Sequence, residues 1–414
     1  MKRIVALLCA SFAVASLYAN VAVTNVTVQQ RWPWNGLVDI DYEVLTDSPE
    51  EKVTIHANGR DLQNGRSVRM AALTGDGVGQ RIGAGHYRMT WDSTADAPAL
   101  NTTEFIVSLQ AVSGNPLYAV IDLSEGCSLA YPAYPVTYLD KEPDEGWSDE
   151  YKTTKMVLRL IKSGVFVMGS PMDEIGRNIA NETQHEVTLT QSFYIGVFEV
   201  TQSQWELVMG NNPVPTAHKG DMRPVEQVSY NNIRGTTLGA QWPTSDAVDM
   251  DSFIGRLRAR TPLIFDLPTD AQWEYACRAG TITALNSGKA AADANMNEVG
   301  RSALNRKDGK GSGDNHTTVG VYLPNAWGLY DMHGNVWEWI RDWYVEDLGI
   351  NNAIDPTGGI SGTYRVVRGG SWVEGGASCR SALRSSVSHF GHASYPSNFN
   401  YALGLRVIAF PSMQ

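Results

Sequence analysis

The sequence predicts an α+β domain preceded by a separate all-β sandwich. Three observations carry this reading. Short period-two runs bounded by turn chemistry fill the chain up to about residue 113. After residue 155 the pattern changes to strands mixed with capped helices. The last ~130 residues are rich in Gly, Asn and Trp with little regular patterning, so they need local staples such as ions, aromatic plugs or a disulfide. The chain has 414 residues, 43% hydrophobic and 19% charged. That supplies enough apolar material for packed cores and argues against a mainly disordered chain. A net charge of −11 argues against nucleic acid or anionic lipid as the main partner.

Residues 1–19 read as a signal peptide: Lys2 and Arg3, an apolar run from Ile4 to about Val14, then small residues up to Ala19. The run is shorter than the ~20 residues that span a bilayer, and no later segment is long and apolar enough. The protein is therefore expected to be exported, periplasmic or extracellular, with no membrane span. Residues 20–113 are expected to form an immunoglobulin-like sandwich with strands at Val21–Gln30, Leu37–Thr46, Lys52–His56, His86–Asp92 and Glu104–Val112. Asn-Gly pairs at 35–36, 58–59 and 64–65 mark its turns. Nothing in this region carries chemistry. Residues 114–155 read as a linker, with a stiff Tyr131–Pro135 stretch and an acidic run over Asp140–Glu150.

The second domain spans 156–414. The runs MVLRLI and VFVM flank Lys162-Ser-Gly164 as a hairpin, and HEVTLT and FYIGVFEV follow as strands. Thr201-Gln-Ser-Gln204 and Thr269-Asp-Ala-Gln272 are capping boxes, each opening a helix that ends near Gly210 and Gly280 respectively. Cys127, Cys277 and Cys379 remain once the leader is removed. In an oxidising compartment two can pair, and Cys127, in a loop-like stretch, is the expected odd one. Asp331 and Glu338 flank the turn at Gly334. Two carboxylates around such a turn, with backbone carbonyls nearby, suit the hard oxygen ligation of calcium.

The ordered motifs GVFVMGS, HEVTLTQSFYIGVFEVTQSQWE, RPVEQVSY, LPTDAQWEYACRAG, NAWGLYDMHGNVWEWIRDWY, RVVRGGSW, CRSALR and GLR resemble the formylglycine-generating enzyme family, also called sulfatase-modifying factors. The resemblance covers about 156–414. It implies a variant of the C-type lectin fold. It also implies calcium held by the side chains of Asp331 and Glu338 and the carbonyls of Gly334 and Val336. A second calcium site would begin at Asn295 and Met296, with Asp308 or Asp314 as further ligands. Enzymes of the family oxidise a protein cysteine with O₂ and copper held by two thiolates, a donor pair suited to Cu(I). Here Glu374 stands where the first thiolate belongs, and Cys379 is displaced from the second.

Trp337 and Ser371 match residues beside the oxygen-binding place, so Trp337, Ser371, Glu374 and Arg384 form the candidate pocket, without a confident catalytic residue. Relatives also staple the helix opened by Thr269 to the CRSALR region, which implies a Cys277–Cys379 disulfide, although the partner in relatives falls where this chain has Ser381. His389 and His392 are weak metal candidates. Two functions follow. The first is a lectin-like module binding an unidentified protein, peptide or glycan. The alternative is an oxidoreductase acting on a protein cysteine or small metabolite with O₂ and a metal, copper or iron.

Overall fold

The computed structural model describes residues 21–33, 35–114, 116–127, 133–305, 315–386, 394–399 and 401–411. The segment 1–19 expected to be a signal peptide, Asp308, Asp314, His389 and His392 lie outside the described residues. The chain forms two compact units. One comprises Met1–Lys141, Ala259–Leu263 and Pro411–Gln414, and the other Glu142–Arg258 and Ile264–Phe410. No helix among the described residues is long and apolar enough to cross a membrane.

The N-terminal unit is all-β apart from one short turn of helix. Its strands are β1 (Ala22–Gln30), β2 (Leu37–Leu45), β3 (Val53–Asp61), β4 (Arg66–Val68), β5 (Leu73–Gly75), β6 (Gly85–Asp92), β7 (Phe105–Ser113), β8 (Tyr118–Asp122) and β9 (Val136–Leu139), with α1 (Ser93–Asp96) after β6. One sheet runs β1-β2-β6-β5 and another β4-β3-β7. Their inward residues share one core: Ile40, Tyr42, Met89 and Trp91 from the first, Ile55, Phe105 and Leu109 from the second. Trp91 stacks on Phe105 with ring centroids 5.3 Å apart. The five strands expected here all form. Asn35-Gly36 and Asn64-Gly65 turn, with Gly36 at φ +86° and Gly65 at φ +67°. Asn58-Gly59 does not turn. It lies inside β3, paired throughout with β7, because a Cβ on Gly59 would come 2.7 Å from the Phe105 ring. The stretch 114–155 is more than a connector. Tyr118–Asp122 is an apolar, buried run and pairs with β9.

The C-terminal unit mixes short strands and helices: β10 (Lys155–Ile161), β11 (Gly164–Met168), β12 (His185–Leu189), β13 (Phe193–Gly196), α2 (Gln202–Met209), α3 (Tyr230–Arg234), α4 (Phe253–Arg260), β14 (Leu263–Asp266), α5 (Asp270–Arg278), α6 (Asp293–Val299), β15 (Trp337–Trp343), β16 (Ala353–Ile354), β17 (Arg365–Arg368), β18 (Leu403–Gly404) and β19 (Ile408–Pro411). Both capping boxes form, at Thr201 with Gln204 and Thr269 with Gln272. The expected β10–β11 hairpin does not. β10 pairs with β13 and β11 with β12, so the short Lys162-Ser163 link passes the chain from one sheet to another. Strand β15 joins β17 antiparallel and β18 parallel. It thereby brings the Asp331–Glu338 motif, the Gly-Gly-Ser loop and the C-terminal GLR segment together.

Buried ion pairs hold the irregular remainder. Arg368, fully buried, bonds Asp270 and Glu274 and donates to the carbonyls of Ser381 and Leu383. Arg384 completes this group through Asp270. Arg380 clamps Glu174, Glu182 and the Gly176 carbonyl. Burial pushes the Asp266 carboxyl up, but Arg234, Arg341 and Arg258 outweigh it and hold the group at about 2. A depressed carboxyl contributes stability above its unfolded value near 4, and that contribution is lost as pH falls towards 2.

The expected disulfide is not formed: Cys127, Cys277 and Cys379 are not bridged to one another. The Cys277 sulfur sits 3.6 Å from the Ser381 hydroxyl, 3.7 Å from the Met332 carbonyl and 3.8 Å from His333 Nε2. The residue that faces the helix is thus Ser381. Cys379 turns instead towards the Gly370-Ser371 backbone, 4.0 Å from the Ser371 carbonyl.

Two outcomes are expected. Arg368→Met should cost about 3–5 kcal/mol in urea unfolding, because it strands buried carboxylates. Arg31→Met, which removes a solvent-screened pair with Asp39, should leave the urea midpoint close to that of the wild type. Equal midpoints for the two variants would contradict the network's role. Native alkylation should label Cys127, which is exposed, and spare Cys277, whose thiol burial pushes up to about 12. All three should react after denaturation without reductant. A Cys277–Cys379 linked peptide would overturn this.

Candidate functional site

The Gly369-Gly370-Ser371 turn positions the pocket. Both glycines have positive φ, at +91° and +72°, and a Cβ on Gly370 would lie 2.6 Å from the Cys379 sulfur. This close approach turns Ser371 inward, fully buried. Its hydroxyl donates a short bond to Glu374 Oε2, while Trp337 Nε1 donates to Glu374 Oε1 at 3.2 Å. Three of the four expected pocket residues therefore meet. Arg384 does not join them. It donates to Asp270 and to the carbonyls of Asn181 and Val345 and belongs to the buried ion network.

The donor set does not fit copper held by two thiolates. Glu374, at the position to which the resemblance would assign the first thiolate, is a carboxylate bonded by Ser371 and Trp337. Cys379 is fully buried, with its sulfur against the Gly370-Ser371 backbone.

Trp372 and Tyr401 extend the wall, with ring centroids 6.4 Å apart. The His218 ring lies edge-on to both, at 6.1 and 6.3 Å. Behind His218 sits a cluster the sequence reading missed: His218, Glu226 and His316, whose ligand atoms all lie within 4.8 Å of one another. His218 Nδ1 is 2.6 Å from Glu226 Oε1, and His316 Nε2 is 3.5 Å from Glu226 Oε2. Burial raises the Glu226 carboxyl to about 9, with Arg223 opposing. Burial and then Arg223 push His218 down. His316 falls further under burial, Arg223, His218 and Arg301. The three residues are up to ~100 positions apart, so no local spacing could have signalled them.

The motif around Gly334 builds a second polar centre. Asp331 and Asn335 take left-handed backbone conformations, at φ +56° and +61°, on either side of Gly334 at +83°. Asp331 Oδ2 accepts from the Gly320 amide at 2.6 Å, whereas its buried Oδ1 has no hydrogen-bond partner. Glu338 accepts from Trp273 Nε1 at 2.6 Å and pairs with Arg406 at 2.9 Å. Glu199, absent from the sequence reading, accepts from the Val336 amide and the Asn335 side chain. Burial raises Asp331 to about 6. Glu199 lies well above its usual range through burial, then repulsion from Asp331 and Glu338. Three buried carboxylates thus share the single guanidinium of Arg406, and one oxygen is orphaned. That surplus of hard oxygen and negative charge fits a calcium ion. Asn295 lies in α6, where its side chain donates to the Ala290 carbonyl at 2.9 Å.

Residues 146–409 match the Sulfatase-modifying factor enzyme 1-like domain. Chaperone protein LppX of Paenibacillus barcinonensis is 32% identical over 220 residues, covering 45% of this chain and 71% of its own. The formylglycine-generating enzyme of Mus musculus is 28% identical over 258 residues, covering 53% of this chain and 66% of its own. Among solved structures, Treponema denticola variable protein 1 is 26% identical, with a TM-score of 0.47, covering 62% of this chain and 96% of its own. The chain belongs to the sulfatase-modifying factor family, which includes the formylglycine-generating enzymes.

Proposed function

We propose that this is an exported family member that binds a small polar ligand or peptide segment in the Ser371–Glu374–Trp337 pocket and does not convert cysteine to formylglycine. One observation supports the reading: Glu374, at the position the resemblance gives to a copper thiolate, is a carboxylate held by Ser371 and Trp337. A carboxylate among indole and hydroxyl donors suits a ligand offering N–H groups or a cation, whereas a hard oxygen is a poor partner for Cu(I). The reading assigns a lectin-like variant fold to the C-terminal unit and an immunoglobulin-like spacer role to the N-terminal one. The His218 cluster favours a second reading, an oxidoreductase whose metal is held by nitrogen and oxygen rather than sulfur. Calcium would sit at Asp331, with Glu338, Glu199 and the carbonyls of Gly334 and Val336 as the donors nearby. When bound it would supply positive charge that the three carboxylates lack and so fix the Gly334 turn.

Two measurements test this. Incubated with copper, reductant and a sulfatase-type cysteine peptide, the protein should yield no formylglycine by mass spectrometry. Product formation would overturn the binding reading. Calcium chelation should lower the melting temperature, and added calcium should restore it, since a ligand of the native state alone stabilises by mass action. Asp331→Ala should melt at the same temperature with and without chelator. A wild-type protein indifferent to chelation would remove calcium from the account.

A further inference from the structure

We propose that His218, Glu226 and His316 bind a divalent first-row transition metal ion at the edge of the Ser371–Glu374 pocket, as a two-histidine, one-carboxylate site. This holds whether the pocket binds its ligand or transforms it.

The first support is unmet hydrogen-bonding capacity. Glu226 and His316 are fully buried. Glu226 Oε2 and both ring nitrogens of His316 have no hydrogen-bond partner. Buried polar atoms are nearly always satisfied, because leaving one bare costs about 1–3 kcal/mol. Glu226 Oε2 and His316 Nε2 face each other at 3.5 Å, and His218 Nδ1 meets the other Glu226 oxygen, so one partner placed among them would accept lone pairs from two imidazoles and a carboxylate at once, with His316 Nδ1 outside it. A metal ion does this. Another hydrogen-bond donor would have to serve several acceptors together.

The second support is geometry. Metal–nitrogen and metal–oxygen bonds are about 2.0–2.2 Å, so donors on one ion lie no more than about 4.4 Å apart. The cluster's donors lie within 4.8 Å, and small side-chain rotations bring them to one point. The short His218–Glu226 contact of 2.6 Å is a shared proton whose place the ion takes.

The third support is rigid placement. Glu226 follows Val225, whose amide donates to the Val200 carbonyl at 2.9 Å. The His218 carbonyl accepts from the buried Gln202 side chain at 3.0 Å. His316 lies between Asn315, bonded by Arg223 at 2.6 Å, and Thr317, whose amide donates to Asn335 at 3.0 Å. Hydrogen bonds at or beside all three residues thus hold them in place before any ion arrives, as a preorganised site requires. The His218 side chain is 21% exposed, which leaves a path from solvent and open coordination positions towards Trp372 and Tyr401.

The donor set names the metal class. Imidazole and carboxylate suit iron(II), zinc, cobalt(II) or manganese, and two histidines with one carboxylate and open positions is the arrangement used for non-haem iron(II). Calcium, which takes oxygen ligands, is disfavoured here. Arg223 opposes a dication as it opposes a proton, but burial and Arg223 also hold both imidazoles towards the neutral form, the one that ligates.

The test is a cobalt(II) titration of untagged protein, stripped of metal and resupplied with calcium. One equivalent should bind, give a visible d–d spectrum, and be displaced by zinc. His218→Ala and His316→Ala should each weaken binding by more than about 100-fold, beyond the 10–100-fold typical of outer-shell changes. His86→Ala, at an exposed histidine of the N-terminal sheet, should bind as wild type. His218 is partly exposed, so its variant should fold as judged by circular dichroism and should carry the test if His316→Ala does not fold. The proposal is overturned if folded wild type takes up no cobalt or zinc, or if His218→Ala binds like wild type.

Discussion

Six arginines, Arg234, Arg301, Arg365, Arg368, Arg380 and Arg406, are fully buried in the C-terminal unit. Each must be surrounded by acceptors, since an uncompensated buried charge costs several kcal/mol. The acceptors are what the irregular segments otherwise lack. Arg406 pairs with Glu338 and gathers the carbonyls of Gly196 and Tyr330. Arg365 bonds the Arg341 carbonyl and lies 3.3 Å from the Trp343 ring centroid. Guanidinium forks thus do for loops what ladders do for sheets. The geometry of the Gly-Gly-Ser turn follows from this, because Arg368 holds the strand before it and the Ser381–Leu383 segment after it.

That internal accounting also locates function. Buried polar atoms without a hydrogen-bond partner are scattered through the unit, and two of the places where they occur combine them with clustered ionisable groups. At one, Glu199, Asp331 and Glu338 face a single arginine and leave an oxygen bare. At the other, Glu226 and His316 present bare lone pairs beside the pocket. Surplus negative charge with oxygen donors calls for a hard cation. Mixed nitrogen and oxygen donors call for a borderline one. Neither centre offers the paired thiolates of the copper enzymes, and the carboxylate of Glu374 is tied to Ser371 and Trp337 instead. The family scaffold is retained, and on the proposed reading the chemistry at its centre differs.

Much of this was legible in the sequence. Alternation found the main strands of the N-terminal unit because one face of each is buried. Both capping boxes formed because a threonine and a glutamine three residues on satisfy each other's backbone locally. Pairing partners were less legible: β10 and β11 are adjacent in sequence yet sit in different sheets, and no local signal encodes that. Asn58-Gly59 read as a turn, but glycine was there to admit Phe105. Arg384 read as a pocket residue, whereas Asp270, more than a hundred residues earlier, draws it into the ion network. Glu199, Glu226, His218 and His316 escaped notice because only folding brings them to their centres.

The most direct measurement is anomalous diffraction from crystals of protein loaded with zinc or cobalt, with data on both sides of the metal's absorption edge. The account places a single strong peak among His218 Nδ1, His316 and Glu226, with no density bridging Glu374 and Cys379. A peak at Cys379, or none at the histidine cluster in fully loaded crystals, would contradict it.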